Sequence, residues 1–157
     1  MLPESIRYTS AGIGKIDLIR PLWEQLNEHH HAGARAFREV YSTWTFDDRK
    51  EYFRKVAAAG PFRVDLAQDP AADRFVGYCV SSVSPEGYGE IESVFVEPAY
   101  RSRGVGTMLM NHALAWLETQ NPSRIRVAVA DGNEDAFPFY RKFKFFPRMT
   151  VLEQKKD

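Results

Sequence analysis

Apolar side chains recur along this chain with two different periods, and the changes of period divide it into a helical opening, a run of strands and an alternating finish. Ile16, Ile19, Leu22, Trp23 and Leu26 fall at three- and four-residue steps, which places them on one face of a helix, with Pro21 in its first turn or at a kink. A short strand over Ser5 to Thr9 is predicted before it, ended by Gly12 and Gly14. Thr45 with Asp48 three residues on resembles a capping box with the shorter acid, so a second helix is predicted over Asp47 to Ala59, closed by Gly60-Pro61.

From Phe62 the period becomes two. Strands are predicted over Phe62 to Ala67, Phe75 to Val83 and Glu90 to Val96, separated by turns at Asp69-Pro70 and Pro85-Glu86-Gly87, as an antiparallel meander. Glu97-Pro98 stops the third strand, and Val105, Met108, Leu109, His112, Ala113 and Trp116 make the apolar stripe of a long helix that ends near Asn121-Pro122. Arg124 to Ala130 then reads as a β-branched strand, Glu134 to Lys142 as a short helix and Phe145 to Leu152 as a last strand. The class is mixed α/β, and strand, helix and strand in the second half predict a parallel pair with a crossover helix. At 157 residues with no repeat, linker or low-complexity segment, a single domain over residues 1–157 is expected.

Composition narrows the function. With 44% hydrophobic and 13% aromatic residues the chain is not of the disordered class. Lys and Arg number 21 against 21 Asp and Glu, so no global field draws nucleic acid or an anionic membrane, and an anion must be captured locally. Met1 to Ser5 lacks the basic and apolar regions of a signal peptide and no apolar run is long enough to span a bilayer, so the cytoplasm is the expected compartment. The lone Cys79, inside the apolar run Phe75 to Val80, reads as a small core residue and provides no Cys-rich metal site. His29, His30 and His31 are consecutive, so on a helix they point about 100° apart and cannot converge on one metal ion; a solvated helix end is expected.

Arg101-Ser102-Arg103-Gly104-Val105-Gly106-Thr107 follows a strand and opens a helix, so unpaired main-chain N–H groups and the positive end of the helix dipole point at one spot. The glycines let the backbone approach an anion and the arginines add charge, a combination suited to a diphosphate. The Lys-Ser/Thr that a nucleotide-hydrolase P-loop needs after its last glycine is absent. The dinucleotide fingerprint is met in part, since Gly104-x-Gly106 precedes a helix and then a strand ending at Asp131, but its third small residue would be Leu109 and seven residues separate Val96 from Gly104.

On these residues the chain resembles the GNAT superfamily of acyl-CoA-dependent N-acetyltransferases. Arg101-x-x-Gly104-x-Gly106, preceded by Ser93-Val94-Phe95-Val96 and Pro98, is similar to that family's pyrophosphate motif. Asn133, Ala136, Phe139-Tyr140 and Lys142 stand at its spacing for a second acyl-CoA segment, and the likeness covers roughly Phe75 to Leu152. It implies a central mixed, mostly antiparallel sheet flanked by helices, with a parallel strand pair splayed around the acyl-CoA. It also implies acetyl-CoA as cosubstrate, no metal, and direct attack by an amine in a ternary complex. Val94, Phe95 and Val96 would then run along the pantetheine arm, with the N–H near Phe95 polarising the thioester carbonyl. Arg101, Ser102, Arg103, Gly104, Val105, Gly106 and Thr107 would hold the pyrophosphate, Asn133 the pantetheine arm with Ala136 in the same segment, and Tyr140 would be the general acid. Dimerisation is common in the resembling family. One departure is Lys144 where the family has glycine, which costs roughly 1 kcal/mol in a left-handed helix end and leaves that end open to differ.

Chemistry adds a proton acceptor, since an amine attacks only as its free base. Glu90 and Glu92 are two apart on one strand, hence on one face, adjacent to the region that Val94 and Val96 would border; either can serve, directly or through water. The resemblance implies an acceptor pocket between the first two helices and the central strands, with Trp23, His30, Tyr41, Trp44 and the Pro85 to Tyr88 turn as candidates, and small amines, amino acids and peptide amines all remain acceptors in view. The alternative is a noncatalytic acyl-CoA sensor or partner-binding domain, which keeps the anion cradle without turnover.

Overall fold

In the computed structural model residues 5–156 are described, so the reading of Met1 to Glu4 as lacking a leader lies outside them. Strand β1 (Arg7–Ala11) leads to a 3₁₀ turn over Ile13–Ile19 and then to helix α1 (Arg20–Gly33). The apolar period that begins at Ile16 is therefore shared by two elements, and Pro21 sits in the first turn of α1, where its missing N–H costs nothing. A short helix, α2 (Arg38–Thr43), follows, and α3 (Phe46–Ala59) begins at the predicted box: the Asp48 N–H donates to Thr45 Oγ1 at 3.2 Å and the Thr45 N–H to Asp48 Oδ2 at 2.9 Å.

Strands β2 (Phe62–Asp69), β3 (Arg74–Val83) and β4 (Tyr88–Val96) form the predicted meander, and α4 (Val105–Thr119) crosses to β5 (Arg124–Val127). The sheet runs β1-β2-β3-β4-β5; every neighbouring pair is antiparallel except β4 and β5, which are parallel. A 3₁₀ turn over Glu134–Ala136 and helix α5 (Phe137–Arg141) occupy the segment expected as one helix. Its end is left-handed after all: Lys144 takes φ 67°, and the Phe145 N–H returns to the Tyr140 carbonyl at 3.2 Å.

Two expectations are corrected. The strand at Arg124 stops at Val127 rather than Ala130, and no strand forms over Phe145 to Leu152. Phe146, Met149, Val151 and Leu152 are 65%, 73%, 82% and 90% exposed. Alternation marks a segment able to pair, but Pro147 removes a ladder donor from its middle and no edge meets it among the described residues.

Two apolar layers sandwich the sheet. Ile16, Ile19, Leu22 and Trp23 with Phe46 and Phe53 cover the face formed by Val64, Leu66, Tyr78, Val80 and Phe95. On the other face α4 packs Val105, Leu109, Met110, Ala113 and Leu117 against Ala67, Cys79, Val83 and Ile91. Cys79 is fully buried, and burial raises its thiol to about 12, which keeps it protonated and unreactive. Among the described residues no helix is long and apolar enough to cross a membrane.

Candidate active site

The site begins with an irregularity in β4. Val80 pairs with Ser93 but Ser81 pairs with Ile91, so Glu92 is an extra residue, a β-bulge, without a partner on β3. A bulge shifts the side-chain alternation by one position. Ile91 and, further on, Val94 and Val96 lie on the α4 face, whereas Glu92 and its neighbour Ser93 both lie on the α1/α3 face. Glu90 and Glu92 thus share a face as expected, but it is opposite to that of Val94 and Val96, which the uninterrupted period had placed beside them.

The second determinant is that β4 and β5 pair only over Tyr88–Ile91 with Arg124–Val127, after which the two chains part. The Glu97 N–H donates to the Val76 carbonyl at 2.9 Å, and antiparallel pairs alternate. Phe95 therefore directs its N–H toward β3, while Val94 and Val96, flanking it, turn theirs toward the opening. Arg101 Nε donates to the Val96 carbonyl across 2.9 Å.

A cleft of about 340 Å³ opens on the parted strands. Glu90, Glu92 and Val94 from β4, residues 127–130, Asn133 and Tyr140 line it on the sheet side, and Trp23, His30, Tyr41 and Trp44 on the helical side. The sequence thus singled out residues that meet here from separate parts of the chain, Trp23 and His30, Tyr41 and Trp44, Glu90, Glu92 and Val94, Asn133, and Tyr140, although the Pro85 to Tyr88 turn does not contribute. Arg49, Tyr52 and Asn27 also line it and were not anticipated. The Asn27 amide donates to the carbonyls of Tyr41 at 2.9 Å and Trp44 at 3.4 Å, pinning the α2 segment to α1.

Within the cleft the two carboxylates differ. Glu92 accepts from Ser82 Oγ at 2.8 Å and from the Tyr52 hydroxyl at 3.0 Å, with no cationic partner among the described residues. The Arg49 guanidinium donates to the Glu92 main-chain carbonyl at 2.8 Å, satisfying the acceptor that the bulge leaves free. Glu90 lies 3.3 Å from Arg126 Nε. Burial lifts its carboxyl above the ordinary range, and the Glu92 charge adds to this against the pull of Arg126. Burial and then the Glu92 charge raise Tyr52 to about 12. Tyr140 is packed against the rings of Phe139 and Phe145 at 5.4 Å and 6.2 Å, and burial raises its phenol well above the usual value, so it stays a proton donor.

His30 departs from the solvated helix end expected of it. Its ring lies 5.5 Å from that of Tyr41, and burial, with His29 and Arg49 nearby, lowers it to about 4, so the imidazole is neutral at pH 7. His29 points elsewhere, with Nε2 3.2 Å from Asn133 Oδ1. No group of three His, Cys, Asp or Glu side chains comes together among the described residues.

A strap joins the end of α1 to the loop after β5, next to the cleft residues Ala130 and Asn133. Gly33 and Gly132 approach so closely that a Cβ on Gly132, at φ +94°, would lie 2.0 Å from the Gly33 carbonyl oxygen. Arg35 reaches across the contact to Asp131 at 3.1 Å and to Glu134 at 3.2 Å.

The segment expected to hold an anion lies at the start of α4. Gly104 takes φ +81° with no heavy atom near its missing Cβ, no side chain caps the helix, and the first helical bond is from the Met108 N–H to the Gly104 carbonyl. The N–H groups of Val105, Gly106 and Thr107 are consequently free of the helix ladder. Gly106 has a different reason: a Cβ there would lie 3.2 Å from the Phe139 ring, so its glycine lets α5 seat against α4. Arg101 and Arg103, in the turn that leads into α4, stack over Phe95 and Tyr100 at 5.4 Å and 5.2 Å, which restrains both side chains. This arrangement fits a diphosphate, and the parted strands above it offer main-chain donors to an extended arm.

Residues 23–145 match the family model described as acetyltransferase (GNAT) family. An uncharacterized N-acetyltransferase of Methanocaldococcus jannaschii is 30% identical over 72 residues, 46% of this chain and only 32% of the relative's length. The phosphinothricin N-acetyltransferase of Streptomyces coelicolor is 26% identical over 81% of this chain and 75% of its own. Streptothricin acetyltransferase A of Bacillus subtilis is 36% identical over 65% of each. Among solved structures, an aminoglycoside N-acetyltransferase in complex with CoA superposes with a TM-score of 0.70 at 16% identity, covering 99% of both chains. A GCN5-related N-acetyltransferase from Ralstonia eutropha gives 0.74 at 17%, covering 96% of this chain and 99% of its own, a likeness of fold.

Proposed function

The chain belongs to the acetyltransferase (GNAT) family, and we propose that it transfers an acetyl group from acetyl-CoA directly to a primary amine held in the cleft. The observation that carries this is the convergence of Glu92, Glu90 and Tyr140 on one cleft where β4 and β5 part. Val94 lines that cleft, and two residues on Val96 is tied to Arg101 at the edge of the anion cradle. Relatives named for phosphinothricin and streptothricin point to small molecules as acceptors.

The residues divide the work. Open amides of Val105, Gly106 and Thr107, with Arg101, Ser102, Arg103 and Gly104, would hold the pyrophosphate, and the N–H groups of Val94 and Val96 would orient the arm, with Asn133 and Ala136 across the opening. Bound there, acetyl-CoA supplies an acetyl thioester and releases a thiol. An alkylammonium with pKa about 10.4 is neutral in roughly one molecule in 2,500 at pH 7, so the site must hold and then remove a proton. Glu92, its carboxylate held by two hydroxyls and with no salt-bridge partner among the described residues, receives the ammonium; Glu90, half-buried beside it, passes the proton to solvent through water. Tyr140, which lines the cleft, would hydrogen-bond to the leaving sulfur. A thiol near 8.5 is more acidic than any tyrosine near 10, and burial widens that gap, so the phenol stabilises developing charge without giving its proton up fully.

The test combines calorimetry with coenzyme A and thiol release across a panel of amines. Coenzyme A binding, turnover with at least one amine, and loss of that turnover in the Glu90→Gln, Glu92→Gln double variant are expected. Binding without turnover on any amine would establish the sensor reading instead.

A further inference from the structure

The wall of the cleft opposite the carboxylates bears on the acceptor, and an inference drawn from it rests on the transferase reading above. That wall is aromatic and uncharged. Trp44 is 39% exposed at the cleft lip, its ring 6.4 Å from that of Trp23, and Tyr41 stands beside His30. A large exposed apolar side chain in a concave site signals contact with a ligand more than one on a convex surface does. The segment bearing Tyr41 and Trp44 is held in place by Asn27, so these rings are presented by a fixed scaffold. His30 adds no charge at pH 7 because its surroundings keep it neutral.

Charge on the remaining wall is nearly all committed. Glu90 is paired with Arg126. The Arg49 guanidinium is bonded to the Glu92 carbonyl and stacked against Trp44, Tyr52 and Phe53 at 5.6, 4.8 and 4.6 Å. Glu92 alone presents a carboxylate with hydroxyl partners only. Among the described residues the cleft lining therefore offers one carboxylate as a receptor for an ammonium and one cation, Arg49, which would repel a second ammonium and whose guanidinium is held by the Glu92 carbonyl and three rings.

We infer that the acceptor is a monocationic amine carried on an aromatic body, with its ammonium at Glu92 and its ring against Trp44 and Tyr41. Polyamines and aminoglycosides would bring more positive charge than one carboxylate can receive, and α-amino acids would bring an anion beside Glu92, where the one guanidinium is held by the Glu92 carbonyl and stacked on three rings. Aromatic pairs of this kind strengthen binding beyond the area they bury.

The experiment compares kcat/KM for phenethylamine and tryptamine with that for spermidine, kanamycin, L-methionine and L-glutamate, all with saturating acetyl-CoA. At least about a tenfold preference for the arylalkylamines is expected, the step that one aromatic contact commonly supplies. Trp44→Ala should raise their KM about tenfold or more while changing kcat much less, and Trp44→Phe, which restores a ring, should recover most of the loss. Equal or better turnover of a polycation or an amino acid, or an unaltered KM in Trp44→Ala with its melting temperature intact, overturns the acceptor class and leaves the transferase reading standing. Coenzyme A binding without thiol release from any amine overturns both.

Discussion

Gly132→Ala tests whether the strap between the α1–α2 turn and the β5–α5 turn shapes the cleft. The added methyl would sit 2.0 Å from the Gly33 carbonyl oxygen and 2.7 Å from its carbon, both of them main-chain atoms that no rotamer change can move aside. Real Cβ atoms do not come closer than about 3.0 Å, so the two turns must separate by about 1 Å or more. Positive φ at a residue with a Cβ costs roughly a further 1–2 kcal/mol. Together with the lost packing, the change should destabilise by about 2–4 kcal/mol, the range of substitutions that strain a special backbone position. At this chain length each kcal/mol lowers the melting temperature by about 2–4 °C, so a fall of at least about 5 °C is expected. Gly12→Ala, where no heavy atom lies within 4 Å, serves as control and should melt like the parent. The same displacement carries His30 and Tyr41 away from residues 128–130 and Asn133, so the acceptor KM should rise several-fold with coenzyme A affinity little changed. A Gly132→Ala protein with the parent's melting temperature and acceptor KM would refute the reasoning.

Three further outcomes are expected. Tyr140→Phe should lower kcat by about 10² to 10⁴ with coenzyme A affinity by calorimetry unaltered, and a fall of less than fivefold removes Tyr140 from the chemistry. Lys144→Gly should relieve the left-handed strain at φ 67° and raise the melting temperature by about 2–4 °C, for roughly 1 kcal/mol, as differential scanning calorimetry can read. His30 binds its proton more weakly folded, at about 4, than unfolded, near 6.5, so the unfolded state holds more protons in that window and stability falls as pH drops through it. Denaturant melts of His30→Gln between pH 7 and pH 4 should show a shallower loss than the parent, and parallel curves would contradict the burial of that imidazole.

Local physics made much of the fold legible before any coordinates. The Thr45 and Asp48 pair starts a helix through bonds among neighbours in sequence, and the meander follows from alternation interrupted by turn residues. What was not legible depends on partners distant in sequence. The alternation of Phe145 to Leu152 shows that the segment could bury a face, but not which edge would receive it. The α2 helix, six residues with no buried side chain, has no apolar stripe to betray it. Of the site, Glu90 and Glu92 are legible from residue type and spacing and Asn133 and Tyr140 through the family resemblance, whereas Arg49 and Tyr52 look like any charged and aromatic pair on the exposed side of α3. Their part in the cleft arises only when α3 meets the bulge. His30 is legible as a pocket candidate but not as a half-buried imidazole, because adjacency in sequence groups it with His29 while the helix turns the one toward Asn133 and the other toward Tyr41.

The extra residue in β4 has an evolutionary and engineering corollary. Before Glu92 the odd-numbered positions face the long crossover helix, and after it the even-numbered ones do. The strand thus carries two phases joined at one point, and a saturation library over Tyr88 to Val96 should reveal a phase jump in which substitutions are tolerated. Removing one residue at that junction would give a tidier ladder and a ruined protein, because half the strand would exchange its inner and outer surfaces at once. Length at this point is a heritable constraint as strict as the identity of any side chain beside it.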